Sequence, residues 1–173
     1  MKLFREIMGY LLGGLLFVVV LPALMWLCSC MPVLNNIPLW RIIAAAILCV
    51  CGLSLSVWSI VYMRNVGKGN PMDAFNHEVA PRTRNLMTDG PYRFSRNPML
   101  TGTFVYLLGL CLSLWTWQAL LFLVIFIGIM LLQVRSEEKR LHREFGDEYE
   151  AYCRRTGRFL PFNWKRQENT QNK

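Results

Sequence analysis

The two adjacent carboxylates Glu137 and Glu138 are the side chains of this sequence that are most clearly suited to binding or catalysis. They follow a long apolar stretch, and carboxylates at a membrane edge are costly unless a cation lies beside them. At helical spacing Glu138 shares a stripe with Val134, so we expect Glu138 to face inward and Glu137 to lie nearer solvent. Three arginines are candidates for the neighbouring cation: Arg93, Arg96 and Arg135. A cationic ligand is the alternative.

A second group of polar residues lies in the segment GPYRFSRNPMLTG, residues 90–102. The pair Asn97-Pro98 is typical of a helix start, with Asn97 as the N-cap and Pro98 as the first helical residue. Arg93 and Arg96 would then lie beside a helix N-terminus, an arrangement that attracts a carboxylate or a phosphate.

A third candidate is the segment GKGNP, residues 67–71, which follows another apolar stretch. Gly67 and Gly69 would let backbone amides approach a ligand closely, although a flexible exit from a helix explains the same residues. His77 and His142 are candidates for acid-base chemistry, and a structural role is the more common one for a lone histidine.

The elements that position these residues are membrane helices. The chain is 54% hydrophobic and 17% charged, and its uncharged residues are gathered into blocks at 7–31, 42–63 and 97–134. A spanning helix needs about 20 residues. The last block, as one helix, would be roughly 57 Å long, too long for a hydrocarbon core of about 30 Å.

We therefore expect the last block to form a hairpin that turns at residues 114–118, where Trp115 and Trp117 suit a membrane interface. The sequence then predicts four spans in one membrane domain covering residues 1–173. Their approximate limits are 7–31, 41–63, 98–114 and 118–135.

Basic residues near the spans indicate the orientation, because they favour the cytoplasmic side. They precede the first span, occur throughout the loop 64–97 and number ten from Arg135 to the C-terminus, whereas Arg41 stands alone on the other side. Both termini and this loop are therefore predicted to be cytoplasmic. The net charge of +8 predicts contact with anionic lipid headgroups, and nucleic-acid binding is disfavoured because the basic residues flank spans.

Two cytoplasmic segments should carry the chemistry. The loop 64–97 is too long for a plain connection, so we expect it to be folded and functional. The last span should continue as a helix through the region 136–173, with a possible break at Gly146. The six cysteines lack the spacing of a zinc or redox site, and no metal is expected.

Four motifs, taken in order, resemble a known family. They are GPYRFSRNPMLTG, the Glu137-Glu138 pair, L..EFGDEY..Y and GRFLPF at residues 157–162. Together they resemble the isoprenylcysteine carboxyl methyltransferases and phospholipid methyltransferases, over about residues 67–162. This resemblance implies an all-α membrane protein with about four transmembrane helices, S-adenosylmethionine as the methyl donor and a lipid-like acceptor. A bacterial-type member of the inner membrane is the expectation.

The resemblance also implies a set of cofactor-binding residues, with Glu138 as the foremost contact because the cofactor is a cation. The set comprises Gly67, Gly69, Tyr92, Arg96, Asn97, Pro98, Met99, Glu137 and Glu138. If the acceptor is a carboxylate, Arg96 or Arg158 could hold it. If it is an amine, Glu138, His77 or His142 are candidates for removing the proton.

Two residues depart from the family pattern and leave the acceptor open. Asn97 replaces a histidine found in many carboxyl methyltransferases and is closer to the phospholipid branch and bacterial relatives, and Leu100 stands where tyrosine is frequent. Two other functions are alternatives. One is a membrane reductase of the sterol-reductase type that uses NADPH, and the other is a non-enzymatic membrane scaffold, for which Glu138→Gln would leave cellular function unchanged.

Overall fold

The computed structural model describes residues 14–29, 37–67 and 85–161, together with the backbone of 73–74 and 77–78. Its elements include four helices, which we label α1 (Leu15–Cys28), α2 (Leu39–Gly67), α3 (Pro98–Leu114) and α4 (Trp117–Arg155). The first six residues of α1 and the last five of α2 are π-helical.

The helical surfaces are those of a membrane protein. α2 and α4 are long and apolar enough to cross a membrane, and α1 and α3 are shorter apolar helices. Large apolar side chains such as Val50, Val124 and Leu132 lie on their outer surfaces, which favours contact with lipid. The predicted all-α membrane fold is confirmed. The count of four spans, the first of which lies partly outside the described residues, stays a prediction.

The predicted hairpin between α3 and α4 is confirmed. α3 ends at Leu114, and the chain reverses at Trp115, whose φ of 52° is left-handed. Thr116 caps α4 by accepting a hydrogen bond from the backbone N–H of Ala119 at 3.3 Å. The Thr116 hydroxyl also donates to Ser29 Oγ at 3.0 Å, which ties the turn to the end of α1.

α2 packs closely against α3 through small residues. A Cβ atom added at Gly52 would lie 2.9 Å from the Cα of Tyr106, and one added at Gly109 would lie 2.9 Å from the carbonyl oxygen of Ala45. Close backbone approach of this kind is how helices associate in lipid, where the hydrophobic effect does not drive their packing. The core lies beside this contact, where residues such as Met25 of α1 pack against α3 and α4.

α4 extends far beyond its apolar part, as predicted. Val134 is fully buried at the end of the apolar run, and the helix then continues to Arg155. Gly146 breaks the helical geometry with φ 48° and ψ −121°, so the possible break is confirmed. The break redirects the final turns, and both Tyr149 and Tyr152 are buried there.

The described parts of the loop 64–97 contain several short elements. Its first residues complete α2, and a pair of two-residue antiparallel strands, β1 (Asp73–Ala74) and β2 (His77–Glu78), follows. A 3₁₀ turn, Gly90–Arg93, then leads toward α3. The remainder of this loop and residues 162–173 of the predicted C-terminal region lie outside the described residues.

Candidate active site

Two motifs that are about sixty residues apart in the sequence are joined by hydrogen bonds at the start of α3. The backbone N–H of Arg96 donates to the carbonyl of Gly157 at 2.9 Å, and that of Asn97 donates to the carbonyl of Arg158 at 3.2 Å. Ser95 Oγ donates to the same Arg158 carbonyl at 3.1 Å. The residues after α4 are thereby fixed beside the helix start.

Asn97 occupies the predicted N-cap position, and α3 begins at Pro98 as expected. The Asn97 side chain does not cap the helix, however. Its Nδ2 donates to the carbonyl of Arg158 at 3.3 Å, so the side chain joins the two motifs.

Glu138 lies where these motifs meet α4, and arginines supply its neighbouring cations. Its Oε1 is 3.0 Å from Arg96 Nη1, and Arg158 donates from Nε to Oε1 at 3.1 Å and from Nη2 to Oε2. Of the predicted partners, Arg96 is confirmed. Arg93 is exposed, Arg135 forms no ion pair with a described carboxylate, and Arg158 was not anticipated as a partner.

Glu137 and Glu138 have the orientations predicted from helical spacing. The Glu138 side chain is 15% exposed and that of Glu137 is 37% exposed. Arg140, a buried residue, lies 3.7 Å from Glu137 through its Nη2 atom. Each of the two carboxylates therefore lies next to a guanidinium group.

A cleft opens between the end of α2, the segment before α3 and the polar part of α4. Its lining residues are Met63, Asn85, Leu86, Met87, Tyr92, Arg96, Asn97, Pro98, Met99, Leu100, Glu137, Glu138, Arg140, Leu141, Tyr149 and Tyr152. Every described residue of the predicted cofactor set lines this cleft except Gly67, which is buried at the end of α2. Gly69 lies outside the described residues.

Three tyrosines form one wall of the cleft. Tyr152 donates from its hydroxyl to the carbonyl of Tyr92 at 2.6 Å. Burial raises the pKa of Tyr92, Tyr149 and Tyr152, and the Glu137 and Glu138 carboxylates add to this effect on the pKa of Tyr92 and Tyr149 respectively. The phenols are therefore neutral hydrogen-bonding groups at physiological pH.

Arg96 is a permanent positive charge in the cleft. Burial alone would lower its pKa, but Glu138, Cys153 and Tyr149 together outweigh burial, so the pKa is raised. Its buried Nε has no hydrogen-bond partner among the described residues.

Neither histidine is found among the described residues that line the cleft. His142 is exposed and lines a second groove, which shares Glu138 with the cleft, and the centre of its ring lies 6.3 Å from that of Tyr149. The side chain of His77 lies outside the described residues.

Sequence reasoning missed several lining residues. Helical spacing places Tyr149 or Tyr152 on the stripe of Glu138, but the break at Gly146 blurs the register beyond it, so neither was predicted as a site residue. Asn85 and Met87 lie in an irregular segment whose sequence carries no periodic signal for their position.

The cleft combines groups of opposite charge with apolar side chains. Carboxylates line it beside guanidinium groups, and Met63, Met87 and Leu141 contribute apolar surface. Such a lining suits a zwitterionic or cationic ligand that also has an apolar ring.

The sequence was also compared with known proteins. A family model described as phospholipid methyltransferase matches residues 40–148. The protein-S-isoprenylcysteine O-methyltransferase of Schizosaccharomyces pombe is 30% identical over 104 residues, which cover 58% of this chain and 44% of that protein. The match thus spans less than half of the relative's length. No solved structure matches the chain.

Proposed function

Because this chain belongs to the phospholipid methyltransferase family, we propose that it is a membrane methyltransferase that uses S-adenosylmethionine to methylate a lipid-like acceptor. One observation carries the proposal: three of the four family motifs, which are far apart in the sequence, line a single cleft, and Arg158 of the fourth motif pairs with Glu138 of that cleft. We place this cleft on the cytoplasmic side of the membrane, with both chain termini on the same side, because the flanking residues are basic. We propose a bacterial inner membrane because Asn97 is closer to the bacterial relatives of the family.

The groups that line the cleft fit the chemistry of this cofactor. S-adenosylmethionine carries a sulfonium and an ammonium group, for which Glu137 is the more accessible carboxylate, since Glu138 already contacts two arginines. Arg96 is suited to the cofactor's carboxylate through its guanidinium. Met63 and Met87 offer apolar surface for the adenine ring.

When bound, the cofactor supplies an electrophilic methyl group for in-line displacement by a nucleophile. The residues of this chain would bind and align the two substrates. A carboxylate acceptor needs no general base, and Arg158, whose side chain is 36% exposed, could hold it by paired hydrogen bonds. An amine acceptor must first lose a proton, and His142 or Glu138 would be the groups to receive it.

Equilibrium binding to the purified full chain in detergent tests the cofactor. We expect saturable binding of S-adenosylmethionine, weakened about tenfold by Glu137→Gln because a charge-assisted contact is lost. Glu150→Gln is the matched control, since Glu150 is exposed and pairs with Arg154 outside the cleft. Saturable NADPH binding without S-adenosylmethionine binding would support the reductase alternative instead.

Methyl transfer in membranes that contain the protein tests the acceptor. After incubation with methyl-labelled S-adenosylmethionine, we expect label in the lipid extract. Treatment with alkali separates the two acceptor classes, because a carboxyl methyl ester releases volatile methanol and an N-methyl amine does not. If the lipid extract carried no label and the purified protein did not bind the cofactor, the scaffold alternative would be supported.

A further inference from the structure

The chain turns back along α3 after α4 has ended. α4 ends at Arg155, and the irregular residues 157–161, which we call the return segment, follow its capping residue. The carbonyl of Phe159 accepts a hydrogen bond from Thr101 Oγ1 at 3.3 Å. The centre of the Phe159 ring lies 5.4 Å from that of Phe104. The return segment therefore lies beside the first two turns of α3.

The length of α3 indicates how deep these two turns lie. α3 has 17 residues, which make a helix about 26 Å long, slightly shorter than a hydrocarbon core of about 30 Å. The far end of this predicted span is marked by Trp115, a residue type that favours the membrane interface and is 62% exposed here. Pro98 then lies just inside the opposite boundary of the core, and Thr101 and Phe104 lie about 5 and 9 Å further in.

The backbone of the return segment is bonded as this depth requires. Lipid offers no hydrogen-bond partners, so backbone polar groups at the level of the core must be satisfied within the protein. The carbonyls of Gly157, Arg158 and Phe159 all accept hydrogen bonds from the start of α3. Pro161 has no backbone N–H that would need a partner. A loop in water would not need these bonds.

Two neighbouring apolar side chains of the return segment have different surroundings. The Phe159 ring packs against Phe104, which in turn contacts Phe126 of the core at 6.2 Å between ring centres. Leu160, the next residue, is 66% exposed. At the depth of the first turns of α3, an exposed leucine has acyl chains around it rather than water.

From this arrangement we propose that the return segment is inserted into the leaflet on the side where α3 begins, with Leu160 in contact with lipid acyl chains. The proposal goes beyond methyl transfer and does not depend on it. It changes the topology predicted for residues 136–173, because the chain would re-enter the membrane after α4 instead of remaining in solution.

Cysteine labelling of the full chain in phospholipid nanodiscs tests the proposal. The probe is a water-soluble maleimide, and mass spectrometry of the peptides reads each cysteine separately. Leu160→Cys should react about tenfold more slowly than Arg155→Cys, because the reactive thiolate is disfavoured in an apolar layer. Arg155 is the matched control, since it is exposed in the last turn of α4. After denaturation the two rates should be equal, and circular dichroism checks that both variants fold.

Photolabelling of the unchanged protein identifies what contacts Leu160. The probe is phosphatidylcholine with a diazirine in its acyl chain, whose zwitterionic headgroup has no net attraction to the basic residues. After irradiation in nanodiscs we expect a lipid adduct on Leu160 and none on Arg155.

Two outcomes would overturn the proposal. Equal labelling rates for Leu160→Cys and Arg155→Cys in nanodiscs would place Leu160 in water. Slow labelling of Leu160→Cys without a lipid adduct on Leu160 of the unchanged protein would mean that another part of the chain covers this residue.

Discussion

Glu138 is the residue at which three distant parts of the sequence meet. Sequence spacing predicts that this carboxylate faces inward and needs a cation, and the structure shows two, Arg96 and Arg158. The cationic-ligand explanation is therefore not needed to account for its burial. Glu137, which is more exposed and lines the same cleft, becomes the clearer candidate for a direct contact with a cationic cofactor.

Glu138→Gln should lower the stability of the protein as well as any cofactor affinity. The substitution removes the negative charge shared by Arg96 and Arg158 and leaves their partly buried guanidinium groups unbalanced. We expect a loss of about 2 kcal/mol in the free energy of unfolding, less than for a fully buried pair because water screens part of it. Glu137→Gln should cost less than about 1 kcal/mol.

Unfolding measurements in detergent on both variants check this prediction. An unfolding midpoint for Glu138→Gln equal to that of the unchanged protein would show that the two ion pairs contribute nothing to stability.

The raised pKa values of Tyr92, Tyr149 and Tyr152 predict a loss of stability at alkaline pH. Burial keeps these phenols protonated in the folded chain, whereas in the unfolded chain they lose their protons near pH 10. Above about pH 10 the unfolded state binds fewer protons, so the free energy of unfolding decreases as pH rises, and below about pH 9 it is unaffected by these groups.

Thermal unfolding at increasing pH checks this dependence, with Tyr152→Phe as the comparison. That variant lacks one titrating phenol, so its stability should fall less steeply above about pH 10. It also lacks the hydrogen bond to the Tyr92 carbonyl and should be about 1 kcal/mol less stable at neutral pH. If the stability of Tyr152→Phe fell with pH as steeply as that of the unchanged protein, Tyr152 would not be one of the phenols that cause the alkaline loss of stability.

The cleft lies between the end of α2 and the start of α3, two helices that approach each other closely. Gly52→Ala should destabilise the protein by about 2 kcal/mol, because the new methyl group would lie 2.9 Å from the Cα of Tyr106 and force the helices apart. Gly128→Ala on α4 is the matched control, since no described atom would lie within 4 Å of its methyl group.

Thermal unfolding of the two glycine variants in detergent provides the measurement. Gly128→Ala should be neutral or slightly stabilising, because alanine favours the helix more than glycine does. Similar midpoints for the two variants would mean that the contact between α2 and α3 adjusts to the added methyl group without loss of stability.

The sequence predicts those elements whose signals are local. The turn at Trp115, the start of α3 at Pro98 and the inward direction of Glu138 follow from composition, capping residues and helical spacing. The pairing of Arg158 with Glu138 does not, because Gly146 interrupts the helical register and the chain then turns back toward α3. Contacts of this kind depend on tertiary packing.

Most charged side chains of the described residues lie at one end of the helices. Because α3 and α4 form an antiparallel hairpin, the start of α3 and the part of α4 beyond Val134 lie at the same end. The cleft is located there. The cleft, in which we propose that the cofactor binds, would thus be accessible from one side of the membrane.

This common side is predicted to be the cytoplasm, and reporter fusions test the prediction. With four spans, alkaline phosphatase fused after Asn36 should be active because that loop is outside, and the same enzyme fused after Lys173 should be inactive. Green fluorescent protein fused after Lys173 should fluoresce, since it folds in the cytoplasm.

A three-span chain with a cytoplasmic N-terminus would instead place Lys173 outside and reverse both results for the C-terminal fusions. The basic residues after Val134 oppose that arrangement, because they would then have to cross the membrane against the charge preference that orients the other spans.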